Sequence, residues 1–165
     1  MLLEGHGESL ERARRSLTRL LESEDTAALA TNGQGAPLLC TVFFAYREGN
    51  LWFTSQESTR HIIALRNEPT VSFAVWRRPH EWGRSLFGAQ LTCTASEVST
   101  REDAAEGLHT LHRRFPTSQS VLARLEDVYG AERKTCLVRL TIRAGTLIDE
   151  DEFGRRNFLG FTWQR

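Results

Sequence analysis

Apolar residues recur at helical spacing near the start of the chain, at Leu10, Ala13, Leu17, Leu20 and Leu21. This predicts an amphipathic helix over about residues 8–22, with Ser9 as its cap. Glu24 and Asp25 break it, and from Thr26 the period changes. "TAALAT" reads as a short buried strand and Asn32-Gly33 as a hairpin turn. "LLCTVFFAY" reads as a second strand, too apolar to have one face in water. Arg47 to Asn50 turns it back into a third strand, "LWFTS".

Ser58 or Thr59 is placed to cap a short helix over "RHIIALR", closed by Asn67 and Pro69 because proline forbids continuation. "TVSFAVW" alternates Val71, Phe73 and Val75 against Thr70, Ser72 and Ala74, which predicts a fourth strand. A polar loop from Arg77 to Gly83 holds Pro79, His80 and Trp82. "SLFGAQLTCTASEV" follows as a long fifth strand in which Gly88 marks a bulge or a close backbone approach. Residues 100–115 and 118–129 read as two helices separated by Pro116, and "TCLVRLTIRAGTLID" as the sixth strand. The tail is acidic and then aromatic. Six strands with so few crossover helices exclude a doubly wound α/β sheet. They predict a mainly β fold, an antiparallel Greek-key barrel with flanking helices, in one domain over residues 1–165 with its barrel over about 26–163.

Composition narrows the function classes. Acidic and basic residues balance at 21 each, which supplies no net field toward nucleic acid or a membrane surface. Lys134 is the only lysine, so an anion site must use Arg or backbone amides. The start of the chain does not read as a signal peptide, and no apolar run approaches a membrane span. Cys40, Cys93 and Cys136 are odd in number, form no CxxC pair and sit in apolar strands. They read as reduced structural thiols, and the expected compartment is the cytoplasm.

The segment richest in chemistry runs from Leu51 to Val75. Ser55, Ser58 and Thr59 place hydroxyls before a helix, and Arg60 and His61 open its first turn. Unpaired amides, the positive end of the dipole and a bidentate guanidinium suit a phosphomonoester. The same residues also suit an ordinary Ser/Thr cap with a solvated Arg, and local features do not separate the two. His109 and His112, three apart on a predicted helix, read as a solvated face and not as metal ligands, and no metal site is assigned. Asp149 to Glu152 reads as a solvated run of charge.

Thr54-Ser55, Ser58-Thr59-Arg60-His61, Leu65 and Asn67 through Pro69, in that order, resemble the pyridoxamine 5'-phosphate oxidase-like split barrels that bind FMN. The resemblance runs from about Thr26 to Val98 and more weakly into the terminal strand. It implies a homodimer with FMN across the interface and a small-molecule substrate; F420 and haem are the alternative cofactors among such relatives. It places Ser58, Arg60 and His61 at the phosphate, and Thr54 and Ser55 beside the ribityl chain or ring. The backbone of Cys40, Thr41 and Val42 would face the isoalloxazine. Trp163, with Phe161, resembles an aromatic edge that relatives bring to the partner's flavin. Two departures stand out: the second strand lacks basic residues around Cys40, and Glu68 splits the Asn-Pro pair. The implied function is a flavin-dependent oxidoreductase, with a non-catalytic binding or sensor dimer as the alternative. No catalytic residue is assigned, because the isoalloxazine carries the redox chemistry. An apolar face from Val42, Phe43, Phe44 and Phe73 is expected to meet the partner.

Overall fold

The computed structural model describes residues 7–33, 35–78, 85–116, 124–129 and 133–163. The loop holding His80 and Trp82, and most of the helix expected from Ser118, lie outside the described residues.

Helix α1 (Gly7–Ser23) starts before Ser9, which is therefore inside the helix rather than its cap. Ala13, Leu17, Leu20 and Leu21 are buried, as their spacing requires. Strands β1 (Thr26–Asn32) and β2 (Pro37–Phe43) form an antiparallel hairpin. Its left-handed residue is Gly35, at φ 84°, so the turn is longer than the two residues that Asn32-Gly33 suggests. β3 (Ala45–Arg47) and β4 (Asn50–Gln56) form a second hairpin. Here Glu48 at φ 50° and Gly49 at φ 81° make the two-residue turn whose twist matches paired strands. After α2 (Arg60–Asn67) come β5 (Thr70–Trp76) and β6 (Phe87–Glu97). Then follow α3 (Arg101–Arg114), α4 (Leu125–Val128), β7 (Thr135–Asp149), α5 (Glu150–Phe153) and β8 (Phe158–Thr162).

The sheet order is β2-β1-β5-β6-β7-β4-β3, every pairing antiparallel, with β8 on β7. The two ends of this order, β2 and β3, are separated in sequence by Phe44 alone. The expected second strand is therefore two strands, because the chain leaves β1 and joins β4 at that residue. Phe44 donates its N–H to the Asp25 carbonyl at 3.0 Å and buries its ring against Phe73, 5.1 Å away and edge-on. Joining both edges through one residue curls the sheet into a barrel around Leu29, Phe53, Phe73, Leu91 and Val138. The irregularity in the β6–β7 pairing falls between Thr92 and Cys93, where Arg143 is the extra residue on β7, and not at Gly88. Gly88 instead marks a close approach: a Cβ there would lie 3.1 Å from Trp76 Cβ. Beyond the bulge β7 exchanges neighbours, pairing β4 over Thr135–Thr141 and β8 over Ala144–Ile148.

Helix α3, capped by Thr100 through the Asp103 N–H at 3.1 Å, covers the outer face of β3, β4 and β7. This explains the continuous run Leu51-Trp52-Phe53, all buried: Leu51 and Phe53 enter the barrel while Trp52 packs under α3. Asp149 is buried, contrary to the solvated reading. It accepts from Ser16 Oγ at 2.5 Å, Arg19 Nη2 at 2.6 Å and the Glu152 N–H at 3.2 Å, tying α1 to the end of β7 and capping α5. No helix among the described residues is long and apolar enough to cross a membrane.

Candidate functional site

The β4–α2 turn is built around a cap that faces backwards. Thr59 has the extended backbone of an N-cap, yet its hydroxyl donates to the Gln56 carbonyl at 2.8 Å and makes no capping bond. The first-turn amides of α2 are thus left without a side-chain partner among the described residues. Ser55 Oγ meets His61 Nε2 at 2.8 Å and Thr59 Oγ1 at 3.2 Å, and Thr59 Oγ1 lies 3.4 Å from the same ring nitrogen. His61 is half-buried beside Phe53, and that burial pushes its pKa below the ordinary imidazole value. Burial thus favours the neutral ring, whose tautomer sets which partner donates to which.

Arg60 is exposed at the same first turn and has no ion-pair or hydrogen-bond partner among the described residues. It lines an open groove of about 400 Å³ between α2 and the β1–β2 hairpin, with Asn32, Leu38, Ile63 and Asn67 around it. Ser58 is exposed on the turn itself. No carboxylate hydrogen-bonds the His61 ring among the described residues, so Ser55 and His61 lack the third member that orients a general base. What this turn carries is a hydroxyl and imidazole cluster on the strand side and, at the groove, the Arg60 guanidinium beside the first-turn amides.

The other residues named from the sequence are distributed by the strand pleat. Thr54 and Ser55 point to opposite faces of β4: Ser55 shares the inner face with Phe53, and Thr54 the outer face with Trp52. On β2, Cys40 and Val42 face inward, Val42 being buried, whereas Thr41 is exposed on the outer face. Trp163 lies elsewhere in its own chain. It packs against the β3–β4 turn, where a Cβ on Gly49 would sit 2.8 Å from its Nε1, and under the Arg14 guanidinium at 5.4 Å. Gly49 and Ser55 are at opposite ends of β4, about 20 Å apart along the strand. Trp163 therefore does not join the α2 corner within one chain.

One cluster was not visible in the sequence. Arg66 Nε and Nη2 grip Glu97 at 2.5 and 3.0 Å, and Nη2 also reaches Glu57 at 3.0 Å and Cys136 Sγ at 3.5 Å. Arg133 lies 3.3 Å from Glu97 and 3.6 Å from Glu57, and Cys136 Sγ donates to Glu97 at 3.3 Å. Glu57, Glu97 and Cys136 have the spacing of metal ligands, but two guanidiniums already neutralise the two carboxylates. The Arg66 hydrogen bond holds the Glu97 carboxyl below its usual range; burial and Glu97 together push the Cys136 thiol up to about 11. Burial pushes Cys93 to about 12 and raises Cys40, so none of the three is a thiolate at neutral pH. On α3, His109 is exposed and His112 half-buried.

Among the described residues, nothing covers the outer face of β1, β2, β5, β6, β8 and the far half of β7. Of the four residues expected there, only Phe43 is exposed; Val42, Phe44 and Phe73 belong to the barrel core. The pleat decides this, since the barrel interior takes every second residue. Leu39, Trp76 and Phe158 project instead, around small side chains such as Ala28, Ala30 and Ser72.

The family described as pyridoxamine 5'-phosphate oxidase matches residues 13–148. No curated protein matches the sequence significantly. Solved structures share the fold at low identity. A haem-binding protein from Mycobacterium smegmatis superposes with a TM-score of 0.72 at 14% identity, over 92% of this chain but only 57% of that one. This chain thus spans just over half the length of that relative. The haem storage protein from Vibrio cholerae gives 0.69 at 18% identity, over 94% of this chain and all of that one (100%). An FAD-binding protein from Mesorhizobium loti gives 0.62 at 18% identity, over 80% and 89%.

Proposed function

Because the chain belongs to the pyridoxamine 5'-phosphate oxidase family, we propose that it is an FMN-dependent oxidoreductase working as a homodimer. The observation that carries this reading is the start of α2. An uncapped first turn, an unpartnered Arg60 and the Ser55–Thr59–His61 hydroxyl and imidazole cluster lie together there. A phosphomonoester suits these donors better than a neutral ligand, because each is either charged or has hydrogen-bonding capacity to spare.

In this reading Arg60 grips two phosphate oxygens, and Ser58 and the first-turn amides take the third. His61 approaches the phosphate from the strand side, held by Ser55. Bound there, flavin supplies the hydride or electron transfer. The protein fixes the cofactor along β2, with Thr41 on the open face and Thr54 and Ser55 at the end of β4. Trp163 reaches a flavin only from the partner subunit, since in its own chain it sits at the far end of β4. The substrate is a small molecule that meets the ring at the dimer cleft.

The second reading is a non-catalytic dimer that holds flavin, F420 or haem in the same cleft. In it the Ser55–Thr59–His61 cluster binds the ligand's anionic group and takes no part in chemistry. The visible spectrum of freshly purified protein separates the cofactors, because flavin, deazaflavin and haem absorb at different wavelengths. Flavin bands are expected, with FMN binding more tightly than riboflavin. Haem bands, or equal affinity for FMN and riboflavin, overturn the FMN reading. Repeated turnover of reduced cofactor with an acceptor then distinguishes enzyme from carrier.

A further inference from the structure

We propose that Arg66, held between Glu57 and Glu97, is a positioning residue that sets where the start of α2 lies against β4. The inference rests on the FMN reading above and deepens it: the phosphate-binding end of α2 is placed by an ion cluster at its other end.

Arg66 occupies the last turn of a helix only eight residues long. Its guanidinium engages Glu97 through two nitrogens, one of which also reaches Glu57. Glu97 ends β6, Glu57 lies in the turn that enters α2, and Arg133 closes the cluster from the approach to β7. The Glu97 side chain is only 17% exposed, which reduces the solvent screening that weakens surface pairs. Among the described residues, the other side-chain hydrogen bonds of so short a helix are those of His61 to Ser55 and Thr59, and its inward residues are Ile62, Ala64 and Leu65.

The register couples the two ends. Cys136, which Arg66 touches, is the cross-strand partner of Ser55, which His61 touches. Both ends of α2 are therefore referred to a single rung of the β4–β7 ladder. A helix of this length spans about 12 Å, so a 5° rotation about its Arg66 end displaces the Arg60 end by about 1 Å. Hydrogen bonds weaken steeply over that distance, so loosening the cluster degrades a phosphate site it never contacts.

Glu97→Gln keeps the shape and removes the charge; Arg66→Lys keeps the charge and removes the planar fork. In the unliganded protein, each variant is expected to move the His61 ring resonances toward those of the exposed His109. FMN affinity should fall about tenfold in each, as expected when charge-assisted contacts are misplaced, while riboflavin affinity stays level. If the His61 resonances stay at their wild-type positions in both variants, the cluster is only a structural brace and the proposal fails. A parallel loss of FMN and riboflavin affinity overturns it as well. Should Glu97→Gln not fold, Arg66→Lys alone decides. Should wild-type protein not prefer FMN to riboflavin, the FMN reading fails while the His61 resonances still test the positioning role.

Discussion

Arg60 is an exposed guanidinium beside amides that their own cap residue has turned away from. If a phosphate binds there, Arg60→Ala removes a bidentate charge-assisted contact. The expected loss is about 1.5–3 kcal/mol, or roughly ten- to a hundred-fold in FMN affinity. Arg60→Lys should recover only part of it, and riboflavin, which lacks the phosphate, should be nearly indifferent. Isothermal titration of wild type and both variants with the two ligands checks this. Equal FMN affinity for wild type and Arg60→Ala moves the cradle elsewhere. At this scale the sequence was legible where chemistry is local: Ser55, Thr59 and His61 lie within six residues of one another and do meet. The Arg66 cluster was not, because its contacts join residues 31 and 70 positions apart. They exist only through the register of β6 on β7 and the bulge at Arg143, neither of which has a local signal. Asp149 was misread for the same reason: the Ser16 and Arg19 that bury it come from the other end of the chain.

Elements followed their period wherever one face was buried. β5 is the clearest case, alternating inward Val71, Phe73 and Val75 with outward neighbours along the predicted span. The period failed where both faces are covered or where the chain changes partners. The run from Leu38 to Tyr46 is apolar but for Thr41, so nothing in it announces that Phe44 crosses from one ladder to the other. Helix α3 shows how tightly the second covered face is fitted. Gly107 faces the Trp52 ring, and a Cβ there would lie 2.5 Å from Trp52 Cε3 and 2.9 Å from Leu137 Cδ2. In an open helix Gly→Ala gains about 1 kcal/mol in propensity. Here the overpacking should outweigh that gain, giving a net loss of about 1–3 kcal/mol for Gly107→Ala. A urea midpoint lower than wild type is the expected result; a higher one means that α3 can lift off β4 without cost.

For the whole molecule, the decisive feature is a sheet face with almost no charge on it. About a quarter of the chain is charged, at 25%, yet among the described residues the outward positions of β1, β2, β5, β6 and β8 carry no charged side chain, and β7 adds Arg143 at the bulge, whose Nε donates to Thr94 Oγ1 at 3.0 Å. Leu39 is 74% exposed, Phe43 67%, Trp76 59% and Phe158 56%. They rise around shallow depressions of about 200 and 290 Å³ lined by Ala28, Ala30, Ser72, Ala74 and Gln90. Projecting aromatics beside small residues on one face make it self-complementary, which a two-fold interface requires. An uncovered apolar face of this kind is also an aggregation liability in a monomer. The chain is therefore expected to be a dimer at about 10 μM, well above the dissociation constant of a standard-size interface. Trp76→Glu should give a folded monomer, because Trp76 supports no core and a carboxylate cannot be buried unpaired at the interface. If the flavin lies across that interface, the monomer should also lose FMN affinity, although Trp76 is on a different strand from every phosphate donor. Light scattering, far-UV circular dichroism and FMN titration of one Trp76→Glu preparation test the chain of reasoning together. A dimer that persists moves the interface to another surface, and a monomer that binds FMN as tightly as wild type makes the site the property of a single chain.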